Sequence, residues 1–378
     1  MGTTRDPLQF TRRDFGKLAL AGLPLSLALA QINSKFKGVQ IGAITYSFRT
    51  MPNPEDIIKA YVTIGLGEME LMSGDAEKLA GAPIPMTGRG GGRGPGGPPA
   101  AGAPPAGAPP AGAPPAGALP AGGPPAGGAA PGAGAPPTGG MTPGAAPGRQ
   151  GGGRRAMTPE EQAAADARAA ELRKWRMSAT EATFKPVKKK IDDAGIQLRV
   201  LCYNMSVNNT KDDEIEYAFM MAKALGVKAI STSTQVSMAK RTAPFADKHK
   251  IQLAFHGHDA TDRPDEVSTP ETFATILGAS KYHAINLDIG HFTAANFDPV
   301  AYIQEHHDRI THLHLKDRKK DHGPAVPWGE GDTPIKQVLQ LLRDKKYDIP
   351  GNIEFEYPGD PLVEVRKNLD YCKQALNA

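Results

Sequence analysis

Four apolar segments in the second half of the chain each end in residues of the kind that bind metal ions. They are FHGHD (255–259), LDIGH (287–291), HLHLKDR (312–318) and IEFEY (353–357). His, Asp, His and Glu together offer the mixed nitrogen and oxygen donors that suit one divalent ion, Mn2+, Zn2+, Co2+ or Mg2+. Such an ion polarises a carbonyl and its neighbouring hydroxyl, which lowers the barrier to removing the proton between them.

Spacing assigns the candidates. His256 and His258 are two apart and share a face in an extended segment; His256, nearer the strand, is the candidate ligand and His258 a candidate acid-base group. Asp288 follows an apolar strand, where an unpaired carboxylate is costly, so it is the second candidate ligand. His291 is a candidate substrate contact. His312, His314 and Lys316 share one face, with Leu313 and Leu315 on the other. His314 is the third candidate ligand, and Lys316 can neutralise an enolate or alkoxide, or pair with a carboxylate. One of Glu354 and Glu356 completes the metal shell and the other is a candidate general base. Glu70, at the end of an earlier strand, is a candidate second carboxylate acting across the substrate. Tyr46 and Trp328 offer aromatic walls, and Arg318 is a candidate substrate contact.

The elements that must position these residues alternate regularly. Strands are expected at 39–45, 66–72, 196–201, 227–231, 251–255, 284–288, 310–315 and 352–355, each with room for a helix before the next. Helix starts are marked by Asn53-Pro54-Glu55, Thr158-Pro159-Glu160, Thr269-Pro270-Glu271 and Thr333-Pro334, and the helix opening at 158 is expected to run to about 194. Eight strand-helix pairs with no switch in order predict a closed (β/α)8 TIM barrel, in which chemistry sits at the C-terminal ends of the strands.

Composition divides the 378 residues further. Residues 81–157 are a run of Pro/Gly/Ala units with almost no aliphatic residues larger than Ala, expected as a disordered insertion in the loop after strand two, between a first barrel part at 31–80 and the remainder at 158–378. At the N-terminus, Arg12-Arg13 precede a moderately apolar stretch ending in Ala28-Leu29-Ala30. That order reads as a twin-arginine signal peptide at 1–30, with a periplasmic or otherwise exported product and no stable membrane span once it is cleaved. A formal net charge of +4 and the absence of a basic stripe interleaved with aromatics argue against nucleic acid as a partner. Two cysteines, Cys202 and Cys372, read as buried thiols.

From residue 39 to 376, less the Pro/Gly tract, the chain resembles the sugar phosphate isomerase/epimerase family of xylose isomerase-like barrels, which also contains the family 2 apurinic endonucleases. FHGHD, LDIGH, HLHLKDR, WGEGDTPI (328–335) and IEFEY carry the resemblance. It implies a divalent metal held by His256, Asp288, His314 and Glu354, leaving Glu356 for acid-base work. It also implies a sugar or keto-sugar substrate for an isomerase or epimerase; the endonucleases' larger zinc cluster has too few counterparts here. Many epimerases of the family carry Glu where this chain has His256, a departure from a two-glutamate mechanism. The alternatives are a metal-dependent lyase on 3-keto-glycosides and a carbohydrate-binding barrel without activity; a homo-oligomer is compatible with either. Export favours free or oxidised sugars over phosphorylated ones.

Overall fold

The computed structural model describes residues 31–84 and 158–378. The chain divides into two compact units, Met1–Pro98 with Ala164–Ala378, and Pro99–Ala163. The barrel belongs to the first, and only residues 158–163 of the second are described. The expected signal peptide and all but the first few residues of the insertion lie outside the described residues.

Among the described residues nine strands form one sheet: β1 (Lys35–Phe36), β2 (Val39–Ile44), β3 (Glu68–Met72), β4 (Gln197–Cys202), β5 (Ala229–Thr232), β6 (Gln252–His256), β7 (His283–Asp288), β8 (Ile310–Leu315) and β9 (Gly351–Ile353). Strands β2 to β9 are parallel in sequential order, and β2 pairs with β9, so the sheet closes into the eight-stranded barrel the alternation predicts. β1 is an unexpected short antiparallel addition to β2.

Period two puts the two faces of each strand to different uses. Ile285, Leu287, Leu313 and Leu315 are almost fully buried under the outer helices, each stabilising the fold by about 2 kcal/mol. The inner face is unusually polar for such a barrel: Glu68, Glu70, Asn286, His312 and Asn352 are all 0 % exposed. Apolar layers normally fill this space, so the polar groups need partners among themselves.

Helices begin where their caps dictate. Asn53 accepts from the Glu55 amide at 3.1 Å to start helix Pro54–Ile64, and Gly65 ends it at φ +86°, a conformation that favours glycine. Tyr61 of that helix donates to the Ala43 carbonyl at 2.6 Å, which ties it to β2.

Several boundaries differ from the sequence reading. β3 starts at Glu68, just after Gly67, whose amide donates to Ser34 Oγ at 2.9 Å and whose carbonyl accepts from the Gln197 amide at 2.9 Å. Helix Ser73–Leu79 follows β3 directly, before the Pro/Gly tract begins. The single helix expected over 158–194 is two, Pro159–Ser178 and Glu181–Asp193, divided where Thr180 and Thr183 form a capping box. Only the second has an inward apolar face, Phe184, Val187 and Ile191, so it alone serves as the barrel helix. Helix Ile289–Ala294 stands where a loop was expected, started by Asp288 accepting from the His291 amide at 2.8 Å. Among the described residues no helix is long and apolar enough to cross a membrane.

Candidate metal centre and active site

The register of the ladder sets the site. His256 pairs with Asn286, Asp288 with His314, and His314 with Asn352, which brings the ends of β6 to β9 to one level of the rim. Glu354 lies one residue beyond β9, its amide donating to the Leu315 carbonyl at 3.0 Å. His256, Asp288, His314 and Glu354 each offer one ligand atom, and these atoms lie within 4.8 Å of one another in a fully buried group. Asp288 Oδ1 serves the helix cap, while its Oδ2 and His256 Nδ1 are buried without a hydrogen-bond partner. Two imidazole nitrogens with two carboxylates are donors that suit a divalent cation, although, against burial, Glu70 and Glu354 raise the His314 pKa well above the ordinary histidine value, so an ion there displaces a proton; the two orphaned buried atoms are where such a set needs it.

A lysine shares the electrostatics of this group. Lys316 Nζ is 3.0 Å from Asp288 Oδ2, 2.9 Å from Glu354 Oε2 and 2.6 Å from Glu356 Oε2. The 3.0 Å contact to Asp288 is an ion pair without the alignment of a hydrogen bond. Burial disfavours the Lys316 ammonium, but the three carboxylates outweigh it and raise its pKa well above the ordinary value. Burial also pushes Asp288 up, to about 6, against the pull of Lys316. Glu354 goes the other way: burial opposes its charge, yet Lys316 and His314 hold it well below the usual range. Burial, with His314 and His258 nearby, keeps His256 far below the ordinary histidine value, hence neutral and able to offer a lone pair.

A cavity of about 110 Å3 opens over this group. Tyr46, His256, His258, His291, His314, Lys316, Glu354 and Glu356 line it, as expected for residues at strand ends. Burial, then Glu356, raises the Tyr46 hydroxyl pKa, so it stays a neutral donor. His258 is oriented by Glu266, 2.7 Å from its Nδ1, and His291 by Asp259, 2.9 Å from its Nδ1.

Four expected residues are not on that wall: the candidate ligand Asp288, and Glu70, Arg318 and Trp328. Glu70 is buried beneath the cavity: Asn352 Nδ2 lies 3.1 Å from its Oε2, His314 Nε2 lies 2.8 Å from the same oxygen, and Ser231 donates to its other one. It cannot act across a substrate. Arg318 is turned to Asp259, with Nη1 2.7 Å from Oδ1 and Nη2 3.1 Å from Oδ2, and also donates to the Gly323 carbonyl at 2.7 Å. Nη1 also lies against Nδ1 of His291, so Arg318 meets the cavity only through that histidine. Trp328 packs edge-on against Tyr371, 5.6 Å between centroids, away from the site. The loop that carries it is held by Asp317, which accepts from the amides of Gly329 (2.8 Å), Gly331 (3.0 Å) and Thr333 (3.2 Å).

Sequence reasoning assigned no role to Asn286, Asn352, Asp259 or Glu266. The first two were accessible from the same period-two rule: Asn286 precedes Asp288 by two, and Asn352 precedes Glu354 by two, so both face inward. Asp259 and Glu266 lie past the strand, where spacing carries no direction. Cys202, on the cavity wall, and Cys372 are buried thiols.

The family model for xylose isomerase-like TIM barrels matches residues 160–375. The chain belongs to this family. Among curated relatives it is 27% identical over 141 residues to the Escherichia coli L-ribulose-5-phosphate 3-epimerase UlaE, covering 36% of this chain and 48% of that one. It is 29% identical over 121 residues to the inosose dehydratase of Salmonella typhimurium, covering 29% of this chain and 35% of the other. The chain thus spans about half or less of the length of the curated relatives it matches. The crystal structure of the probable 3-DHS dehydratase AsbF from Bacillus anthracis superposes with a TM-score of 0.51 at 13% identity, over 90% of this chain and 99% of that one. At that identity the likeness concerns the fold alone. The curated relatives named are a sugar-phosphate epimerase and an inosose dehydratase.

Proposed function

We propose that the protein is a divalent-metal-dependent enzyme that removes a proton next to the carbonyl of a sugar or keto-sugar, giving isomerisation or epimerisation. The observation that carries this reading is the four-residue donor set at the rim, with an ammonium and a further carboxylate within reach of it. His256, Asp288, His314 and Glu354 would hold the ion, which when bound supplies Lewis-acid polarisation of the carbonyl. Glu356 lies on the cavity wall outside the donor set and is the base for the adjacent proton. Lys316, hydrogen-bonded to Glu356 at 2.6 Å, orients that carboxylate and offers positive charge to a developing enolate. His258 and His291, each oriented by a carboxylate, bind hydroxyls or return a proton. The Arg-Arg signal at the N-terminus supports an exported enzyme and therefore unphosphorylated sugars.

One observation favours a second reading, elimination from a 3-keto-glycoside. Glu354 and Glu356 are the cavity's carboxylates among the described residues, and Glu70 is beneath it. Epimerisation uses an acid-base group on each face of the substrate, whereas elimination needs one base and a proton donor for the leaving group. Incubating the metal-loaded protein with free ketoses and with 3-keto-glycosides in deuterated water separates the two. Deuterium at the carbon beside the carbonyl without loss of a group marks the isomerase; release of the aglycone marks the lyase. If neither occurs with any member of the panel while the protein still binds these sugars, the catalytic reading gives way to a carbohydrate-binding barrel.

A further inference from the structure

We infer that Glu70 is a positioning residue that fixes which nitrogen of His314 faces the metal. The inference rests on the metal reading above and goes beyond it by assigning the carboxylate beneath the site. His314 is gripped from both sides: Nδ1 lies 3.0 Å from Glu354 Oε2, on the cavity side, and Nε2 lies 2.8 Å from Glu70 Oε2, on the barrel side. An imidazole that binds a metal through one nitrogen carries its proton on the other, and the acceptor of that proton sets both the tautomer and the ring orientation. Glu70 is that acceptor. It is 0 % exposed, so it has no water to turn to, and its own orientation is fixed by Ser231, which donates to Oε1, and by Asn352, 3.1 Å from Oε2. Asn286 touches the same Nε2 at 3.2 Å, and exchanging the two ends of that amide would bring its otherwise unpartnered oxygen to the same proton.

The arrangement also settles between two donor groups that share His314. Glu70, His312 and His314 form a second cluster of ligand atoms within 4.8 Å, deeper in the barrel. Glu70 holding the Nε2 proton of His314 leaves only Nδ1 for an ion. That places the metal at the rim with His256, Asp288 and Glu354, where the cavity can deliver substrate, and not in the barrel interior.

The test uses the full chain with its histidines labelled with 15N, loaded with Zn2+. The account expects His314 with a proton on Nε2 and the metal on Nδ1. A proton on Nδ1 with the metal on Nε2 overturns it while leaving metal binding itself intact, and a chain that takes up no Zn2+ overturns the metal reading and this inference together. Variants give the second readout. Glu70→Leu, which removes the acceptor, should lower Zn2+ affinity roughly 10- to 100-fold, and Glu70→Gln, whose amide oxygen can still accept from Nε2, should recover most of that loss. Equal Zn2+ affinity in folded Glu70→Leu and wild type would overturn the positioning role. Should Glu70→Leu fail to fold, the nitrogen assignment in the wild type decides alone.

Discussion

Lys316 donates to Glu356 across 2.6 Å at the mouth of the barrel, so the most deeply buried ammonium among the described residues is tied to the candidate base rather than to solvent. The same Nζ contacts two residues of the candidate donor set, which makes lysine and metal ion neighbours in charge around Asp288 and Glu354.

Lys316→Met follows from this. In the metal-free protein it leaves Asp288, Glu354 and Glu356 facing one another without the shared ammonium, and removing one partner of a buried pair costs about 3–5 kcal/mol. The melting temperature of the metal-free variant should fall, and the rise on adding Mn2+ or Zn2+ should exceed that of the wild type, because the ion then supplies the missing charge. A metal-induced rise no larger than the wild type's would remove Lys316 from the electrostatics of the donor set.

Arg318 is expected to behave as a stability residue. Its guanidinium is bidentate to Asp259, and both are buried. Arg318→Met strands that carboxylate and should cost on the order of 3–5 kcal/mol in chemical denaturation. A variant as stable as the wild type but with a raised KM would return Arg318 to the substrate.

Glu68 gives the stability curve a pH dependence of its own. Both its oxygens are buried without a hydrogen bond, and burial pushes its carboxyl up to about 8. Because the folded state holds this proton more tightly than the unfolded one, the favourable contribution is fully present below the unfolded pKa, about 4.5, and is lost as pH rises towards 8. Glu68→Gln, which is always neutral, should match the wild type near pH 4 and become more stable between pH 5 and 8, by roughly 3 kcal/mol at pH 7. Parallel stability curves for the two proteins across that range would contradict the assignment.

Much of this site was legible because strand ends in a parallel barrel converge and period two gives direction. His256, Asp288, His314 and Glu354 follow from those two rules and a family resemblance. Depth was not legible. Glu70 and Glu354 both read as strand-terminal carboxylates, yet the register that sets Glu70 opposite Ile44 and Val200 places it below the rim, while Glu354 lies past the end of β9. Arg318 and Trp328 stand in the segment after β8, where direction is set by distant partners, Asp259 and Tyr371, that no local pattern announces. The break at Thr180 was hidden for another reason: the helix before it buries no side chain, so no change of apolar face marked where one helix ended and the next began.

A metal held by His256, Asp288, His314 and Glu354 would make a carbon-bound proton removable. The direct measurement is the rate at which that proton exchanges into deuterated water from a keto-sugar substrate, compared for metal-loaded protein, chelator-treated protein and His314→Ala. The account predicts exchange in the first and exchange at background in the other two. Exchange that survives both chelation and loss of His314 would contradict it.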